Sequence, residues 1–342
     1  MRQGIGWLGP VRPGRVILLS AGFAGAVATA VYPGAALETF TFVLHSLLSV
    51  APIVVPGILV AAWVTSSGAG GRVAAVFNGH ALKTVLVASA IGAVTPVCGV
   101  TVLPLMVGLL SAGVPLAPVM AFWLSSPVTD PAMLATTAAT LGMDFAVGKT
   151  VAAFGIGMLG GAVTALIVGR DWVQNPLREN GIVRGLQEQR PCGCGPSQFV
   201  AAPWVDPERR AVFLRQALVT TRLILICLTP AFAAEHVLQS VLDPHALAPL
   251  VGKDVWWAVP LAVFVGAPAY LDGYAALPLT RGLIDHGMAP GAAMAFLVSG
   301  GVVSIWGAMA ILPVLRTKAF ALYLAIALTG SLIAGWVFGL VV

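Results

Sequence analysis

Apolar residues fall along this chain in long blocks, parted by short polar stretches rich in glycine and proline. The blocks cover about 15–32, 38–65, 81–112, 116–141, 145–169, 211–240, 255–284, 289–314 and 318–341. Many reach or pass the ~20 residues that carry a helix across a bilayer. Between 170 and 210 the pattern lapses, and Arg170, Arg178, Arg184, Arg190, Arg209 and Arg210 mix there with acidic residues, prolines and glycines. That stretch reads as a solvated linker on the cytoplasmic side, where basic loops collect.

Two blocks are broken from within. Residues 81–112 contain Thr95-Pro96-Val97-Cys98-Gly99 and then Pro104; as one helix they would run about 48 Å, well past a hydrocarbon core of ~30 Å. Residues 116–141 contain Ser125-Ser126-Pro127-Val128-Thr129-Asp130-Pro131, and two prolines among polar neighbours end a helix. Irregular backbone at membrane depth survives only where protein or a wet cavity satisfies it, so each break marks a candidate site.

The sequence repeats itself at an offset of 174 residues. Gly92-Ala93 meets Gly266-Ala267, Gly99 meets Gly273, Leu103-Pro104-Leu105 meets Leu277-Pro278-Leu279, and Gly108-Leu109 meets Gly282-Leu283. Gly113 meets Gly287, Met120-Ala121-Phe122 meets Met294-Ala295-Phe296, and Ser125 meets Ser299. Thirteen identities across 92–125 compare with roughly three or four by chance in so biased a composition. Glycines and prolines in register are not a by-product of hydrophobicity.

Charge then sets orientation. Arg72 and Lys83 place the loop before the first broken block inside, as the arginines of 170–210 place theirs. Three blocks lie between two inside loops, so one broken block is a re-entrant hairpin; Arg316 and Lys318 give the second half the same treatment. Each repeat crosses three times, and an odd count inverts the second against the first. The expected fold is an all-α polytopic membrane protein of about 7–9 crossings, two related, inverted repeats with broken or re-entrant helices. Its divisions are an N-terminal helix over 1–33, a repeat over 34–170, the linker 171–210 and a repeat over 211–342. Arg2, Arg12 and Arg15 before the first block read as the inside end of a retained helix, and a cleaved leader would also start inside. Inverted repeats with broken helices are a transporter architecture, with the solute near the midplane at the repeat interface.

Composition narrows the function. With 58% hydrophobic and 9% charged residues, against about 25% charged in soluble domains, most of the chain cannot face water. The net charge of +5 belongs to inside loops and not to nucleic-acid binding. No P-loop, His-Glu-x-x-His or Gly-x-Ser-x-Gly string occurs, which leaves a membrane-embedded enzyme as the weaker alternative to a permease. No cofactor is expected; the partners are a small-molecule solute, membrane lipid and, as a candidate, further copies of the chain.

Candidate residues cluster at the breaks. Thr95, Pro96, Cys98 and Gly99 form the first, and the offset pairs Cys98 with Asp272, beside Tyr270, so that a thiol and a carboxylate stand at related tips. A free cysteine is otherwise a small buried hydrophobe. Asp272 and Asp130 are acids at membrane depth, costly unless paired or protonated, and are the candidates for proton coupling; Asp130, just before Pro131, also suits an N-cap. Ser125, Ser126, Thr129 and Ser299 offer hydroxyls at the second break and its counterpart, either to a solute or to freed carbonyls of their own helices. Cys192 and Cys194, flanked by Pro191 and Pro196, are a candidate pair of soft ligands for a thiophilic ion, or simply a reduced loop. Lys149 reads as an interface partner of Asp144, and Arg281 as a snorkelling side chain.

The run Thr95-Pro96-Val97-Cys98-Gly99, Leu103-Pro104-Leu105, Gly108-Leu109, Gly113-Val114-Pro115 and Ala121-Phe122-Trp123-Leu124-Ser125-Ser126-Pro127 resembles the bacterial predicted-permease family, whose best-known members are ArsP-type exporters of trivalent organoarsenicals. Gly266-Ala267-Pro268 to Phe296 resembles its second repeat. The resemblance implies an efflux permease of the bacterial inner membrane, acting in arsenic resistance, with its N-terminus in the cytoplasm. The family commonly has Cys-Ser-Cys-Gly where this chain has Cys98-Gly99-Val100-Thr101, one thiol fewer for a soft arsenical.

Overall fold

The computed structural model describes residues 33–68, 81–95, 102–111, 113–128, 131–179, 183, 199–241, 255–269, 276–303 and 311–342. The described secondary structure is helical. Helix α1 (Pro33–Ser67) is followed by α2 (Ala81–Val94), α3 (Val102–Ser111), α4 (Leu116–Ser125), α5 (Pro131–Leu141), α6 (Met143–Leu166) and the short α7 (Asp171–Gln174). Then come α8 (Pro207–Val241), α9 (Ala258–Ala269), α10 (Ala276–Asp285), α11 (Pro290–Val302) and α12 (Thr317–Val341).

Both broken blocks divide as their prolines require: 81–112 into α2 and α3, and 116–141 into α4 and α5. The helix bounds also recur at one interval. α1 and α8 start at 33 and 207 and end at 67 and 241; α3 and α10 run 102–111 and 276–285; α4 and α11 start at 116 and 290, α6 and α12 at 143 and 317. Each difference is 174.

Local chemistry recurs with the bounds. After α3, Val114 N–H donates to the Leu109 carbonyl and Gly113 N–H to the Leu110 carbonyl; after α10, Met288 and Gly287 do the same to Leu283 and Ile284. These are paired Schellman closures. They demand a left-handed residue, supplied by Gly113 (φ 88°) and Gly287 (φ 100°).

Among the described residues, three helices are long and apolar enough to cross a membrane: Met143–Leu166, Pro207–Pro230 and Thr317–Val341. A fourth span arises if the two limbs of α1, Ala36–Ser49 and Val54–Ser67, count as one despite a 53° bend. Pro52 falls in the break and Pro56 in the first turn of the second limb, where a missing N–H and a ring clash loosen the ladder. Among the described residues the count of 7–9 crossings is not reached by full-length helices alone; α2, α4, α9 and α11 are apolar but short. Outward faces are apolar: Leu37, Phe40, Leu44 and Leu48 recur at helical spacing on α1 and are 48–65% exposed. Polar side chains lie inside instead, among them Ser89, Ser125, Thr137, Lys149, Thr280 and Ser299.

The main core is built from α2, α4 and α6 on one side and α9, α11 and α12 on the other. Glycines set the approach. A Cβ on Gly161 of α6 would meet Val85 Cγ1 at 2.4 Å and Ala121 Cβ at 2.9 Å, and one on Gly335 of α12 would meet Val259 Cγ1 at 2.9 Å and Ala295 Cβ at 2.7 Å. All three residues of each set are counterparts at the 174 interval. α1 and α8 pack separately around Val43, Ile58, Ile224, Leu228 and Phe232. Thr39 Oγ1 lies 3.2 Å from His236 Nδ1 at one end, and Arg209 Nη1 donates to the Ser66 and Ser67 carbonyls at 3.3 and 3.2 Å at the other. The two helices therefore run antiparallel. The composition-based linker begins as packed structure: Leu177 pairs with Leu315, Arg178 Nε donates to the Leu315 carbonyl at 2.6 Å, and Val173 and Val183 are buried.

Candidate functional site at the junction of two helix ends

Helix α4 ends in a polar turn, and its last hydroxyls turn back on it. Ser125 Oγ donates to the Ala121 and Phe122 carbonyls at 2.9 and 3.0 Å, and Ser126 Oγ to the Phe122 carbonyl at 2.7 Å. On α11, Ser299 Oγ donates to the Phe296 carbonyl at 3.2 Å. On α2, Thr95 Oγ1 donates to the Ile91 carbonyl at 2.5 Å. Such back-bonding satisfies groups that a broken helix end would leave bare. Ser125 and Ser299 also wedge against glycines of α2 and α9: a Cβ on Gly92 would fall 2.1 Å from Ser125 Oγ, and one on Gly266 would fall 2.6 Å from Ser299 Oγ.

Beyond those serines the two halves touch. A Cβ on Gly301 would lie 3.2 Å from the Pro127 carbonyl oxygen and 3.6 Å from Val128 Cα. Pro127 and Gly301 are counterparts, so the end of α4 meets the same position of α11. A second such meeting lies between α6 and α12, where a Cβ on Gly330 would fall 2.8 Å from Ile156 Cγ1, and 156 and 330 are again 174 apart. Nearby, the Phe145 and Phe338 rings stand 4.7 Å apart and Gly160 faces Ile326. Rising numbers on α6 thus meet falling numbers on α12, and these helices too run antiparallel.

A cavity of about 10 Å³ opens at the Pro127–Gly301 meeting, close to the room one water needs. Pro127 and Val128 line it after α4, Gly300 and Gly301 from α11, and Lys149 from α6. Phe296 and Leu297 line it from α11, and Gly266 and Ala276 complete it. Lys149 is 3% exposed. Its pairing with Asp144 does not form: five residues on a helix are about 140° apart, and Asp144 is exposed while Lys149 is buried. Behind the cavity, Trp123 stacks on Tyr323 at 4.1 Å and 6°, and the Tyr323 hydroxyl donates to the Val302 carbonyl.

Of the residues expected from sequence to form a site, Thr95, Ser125, Ser126 and Ser299 are placed as above. Pro96, Cys98, Gly99, Thr129, Asp130, Tyr270, Asp272, Cys192 and Cys194 lie outside the described residues. Among the described residues no three His, Cys, Asp or Glu side chains gather as metal ligands. Lys149 is the residue whose place sequence reading missed, since it was paired with Asp144; its signal was a basic residue seven positions into a 24-residue helix whose other charge, Asp144, lies in the first turn.

Residues 35–340 match the model of the ArsP_1 family, described as a predicted permease. The chain belongs to that family. Over 139 residues the permease is 29% identical to the UPF0718 protein MJ0584 of Methanocaldococcus jannaschii, a match covering 40% of this chain and 38% of that protein. The permease therefore spans well under half the length of this relative. No solved structure matches it. Family and apolar helices together make it a membrane protein of the transporter kind.

Proposed function

We propose that the protein is a secondary permease built from two repeats of inverted topology, with its solute site where the two breaks meet. The observation that carries this reading is the contact of Pro127 with its own counterpart Gly301 beside a cavity. Residues that meet their counterparts lie on a two-fold axis. Because the paired helices α1 and α8, and α6 and α12, run antiparallel, that axis crosses them, which is the arrangement of inverted repeats in a membrane. The short apolar helices then complete crossings in pairs, and their broken ends lie against protein, where irregular backbone is tolerated. A cavity sized for one water is what an occluded state holds between openings to either side.

The solute is small and thiophilic or anionic, with a trivalent organoarsenical as the leading candidate, exported from a bacterial cytoplasm at the expense of a proton gradient. Cys98 would meet the soft centre, with Thr95, Pro96, Gly99 and Tyr270 around it and the hydroxyls of Ser125, Ser126, Thr129 and Ser299 close by; Asp272 and Asp130 would take up and release the proton. The test is accumulation of methylarsenite in cells stripped of their own exporters. Wild type lowers it, while Cys98→Ser and Asp272→Asn reach the membrane and do not. An unchanged level with wild type removes the arsenical; unchanged efflux in both variants removes the two named tips.

A further inference from the structure

Helix α8 carries a charge where a membrane helix can least hold one. Its contacts with α1 mark its two ends, with Arg209 on the Ser66 and Ser67 carbonyls and His236 beside Thr39. Arg222 comes thirteen residues after Arg209 and fourteen before His236, so it stands about 20 Å along the helix from either contact. It lies inside the apolar span Pro207–Pro230 and is exposed on the surface of the protein. The ion pairs among the described residues are Arg209–Asp206 and Arg281–Asp285, and neither involves it. A long cation near a helix end snorkels to the headgroups. Arg215, about 9 Å along the helix from Arg209, is placed to do so, and Arg222 is not.

The fold itself does not require this charge. At the 174 interval Arg222 corresponds to Leu48 of α1, which is exposed in the same way and uncharged. The neighbours of Arg222 indicate what covers it. Arg215, Leu218, Arg222, Leu225 and Thr229 are all exposed and follow one another by alternating steps of three and four. That is the spacing of a seam between two helices, in which a polar residue fixes the register. The seam does not face α1: Ile224, two residues on from Arg222 and about 200° round the helix, packs on that side. Among the described residues every carboxylate lies in a loop or within two turns of a helix end, so a second copy offers none there midway along a span.

We infer that this face of α8 docks a membrane-spanning helix of another protein, one that carries a carboxylate at mid-depth, and that Arg222 pairs with it. The two charges neutralise each other in a medium of low dielectric, where an unpaired one is most costly. The inference rests on α8 crossing the membrane and not on the identity of the solute.

The experiment uses the full chain in liposomes of uncharged lipid, with a donor dye at its C-terminus. The probe is a synthetic leucine–alanine helix of about 20 residues bearing an acceptor dye. It carries at its centre an aspartate or a leucine, and in a third version the aspartate sits one turn from an end. Energy transfer reports association. Wild type binds the central-aspartate helix roughly tenfold or more tightly than the other two, and Arg222→Leu loses that preference, as removal of one member of a desolvated charge pair does. Arg215→Leu keeps it. Arg222→Leu copies the residue that α1 holds at the corresponding position, so insertion and folding survive, which circular dichroism and the unfolding midpoint check. Equal binding of the central-aspartate and leucine helices by wild type overturns the inference, and so does a preference that survives Arg222→Leu. Should that variant misfold, the wild-type comparison still decides. Donor and acceptor dyes on two preparations of the chain alone test for a second copy: self-association that Arg222→Leu abolishes gives the face to that copy and overturns the reading of a foreign helix. None of these results touches the permease reading, which solute flux tests separately.

Discussion

Two glycines of α6, one turn-fraction apart, separate packing from backbone preference. A Cβ on Gly155 would have nothing within 4 Å, whereas one on Gly157 would lie 2.7 Å from the Ala121 carbonyl oxygen, 2.9 Å from Ser89 Oγ and 3.0 Å from Ser125 Cβ. Both alanine substitutions gain the same helix preference, about 1 kcal/mol. Only Gly157→Ala must push α4 away. Close carbon–oxygen approaches stop near 3.3 Å, so the helices must part by roughly half an ångström against a backbone carbonyl that cannot rotate clear. Overpacking of that kind costs about 1–3 kcal/mol.

Because the preference term is common to both, the difference between the variants isolates packing. Gly155→Ala is expected to be neutral or more stable by up to ~1 kcal/mol, with Gly157→Ala below it by about 1–3 kcal/mol. Unfolding in detergent, followed by tryptophan fluorescence against added denaturant, measures both. Adding Ser89→Ala to Gly157→Ala removes one of the three close contacts and should recover part of the loss, but the Ala121 carbonyl keeps the rest. Two single variants within ~0.5 kcal/mol of each other, the usual scatter of harmless surface changes, would refute the close approach of α4 and α6.

Two further substitutions probe the ends of helices. Tyr323→Phe keeps the stack on Trp123 and loses only the bond to the Val302 carbonyl, an expected cost of about 0.5–1.5 kcal/mol; Tyr323→Leu should lose a similar amount again with the ring pair, measured by the same unfolding assay. Arg209→Ala removes charge-assisted bonds to the Ser66 and Ser67 carbonyls and should cost about 1.5–3 kcal/mol, with faster hydrogen exchange confined to the last turn of α1 and the first of α8.

Much of the fold was legible because prolines and glycines act locally. Pro127 and Pro131 end α4 and start α5 wherever the surrounding protein lies, and Gly113 and Gly287 are required by the left-handed turn itself. The 174-residue interval was legible too, since these same punctuating residues carried it. Other features depended on three-dimensional neighbours. The bend of α1 was hidden by an apolar run that reads as one straight span despite Pro52 and Pro56. The packing of 171–179 against Leu315 lies in a stretch whose arginines speak for solvent, yet Arg178 turns its guanidinium to a carbonyl of the other half. Lys149 was misjudged for the same reason: sequence shows a charge at a depth along a helix, but not which side of that helix faces protein. Asp144 was near in number and wrong in direction.

The two axial meetings carry an argument of their own about how the proposed repeats diverged. Off the axis, a contact can be duplicated intact, and the wedge of Ser125 on Gly92 recurs as Ser299 on Gly266. On the axis a position faces itself. Two large side chains there would compete for one volume, and two glycines would leave a gap, which also costs stability. Each axial pair seen here joins one bulky residue to one glycine: Pro127 to Gly301, and Ile156 to Gly330. Identity between the halves must therefore fail where they meet, whatever pressure preserves it elsewhere. The same freedom falls to residues just beside the axis, where Lys149 and Tyr323 have parted in chemistry while keeping their burial. A solute site placed at such a junction can be asymmetric in charge without disturbing the symmetric packing that holds it, and a permease needs that separation to change its substrate without losing its fold.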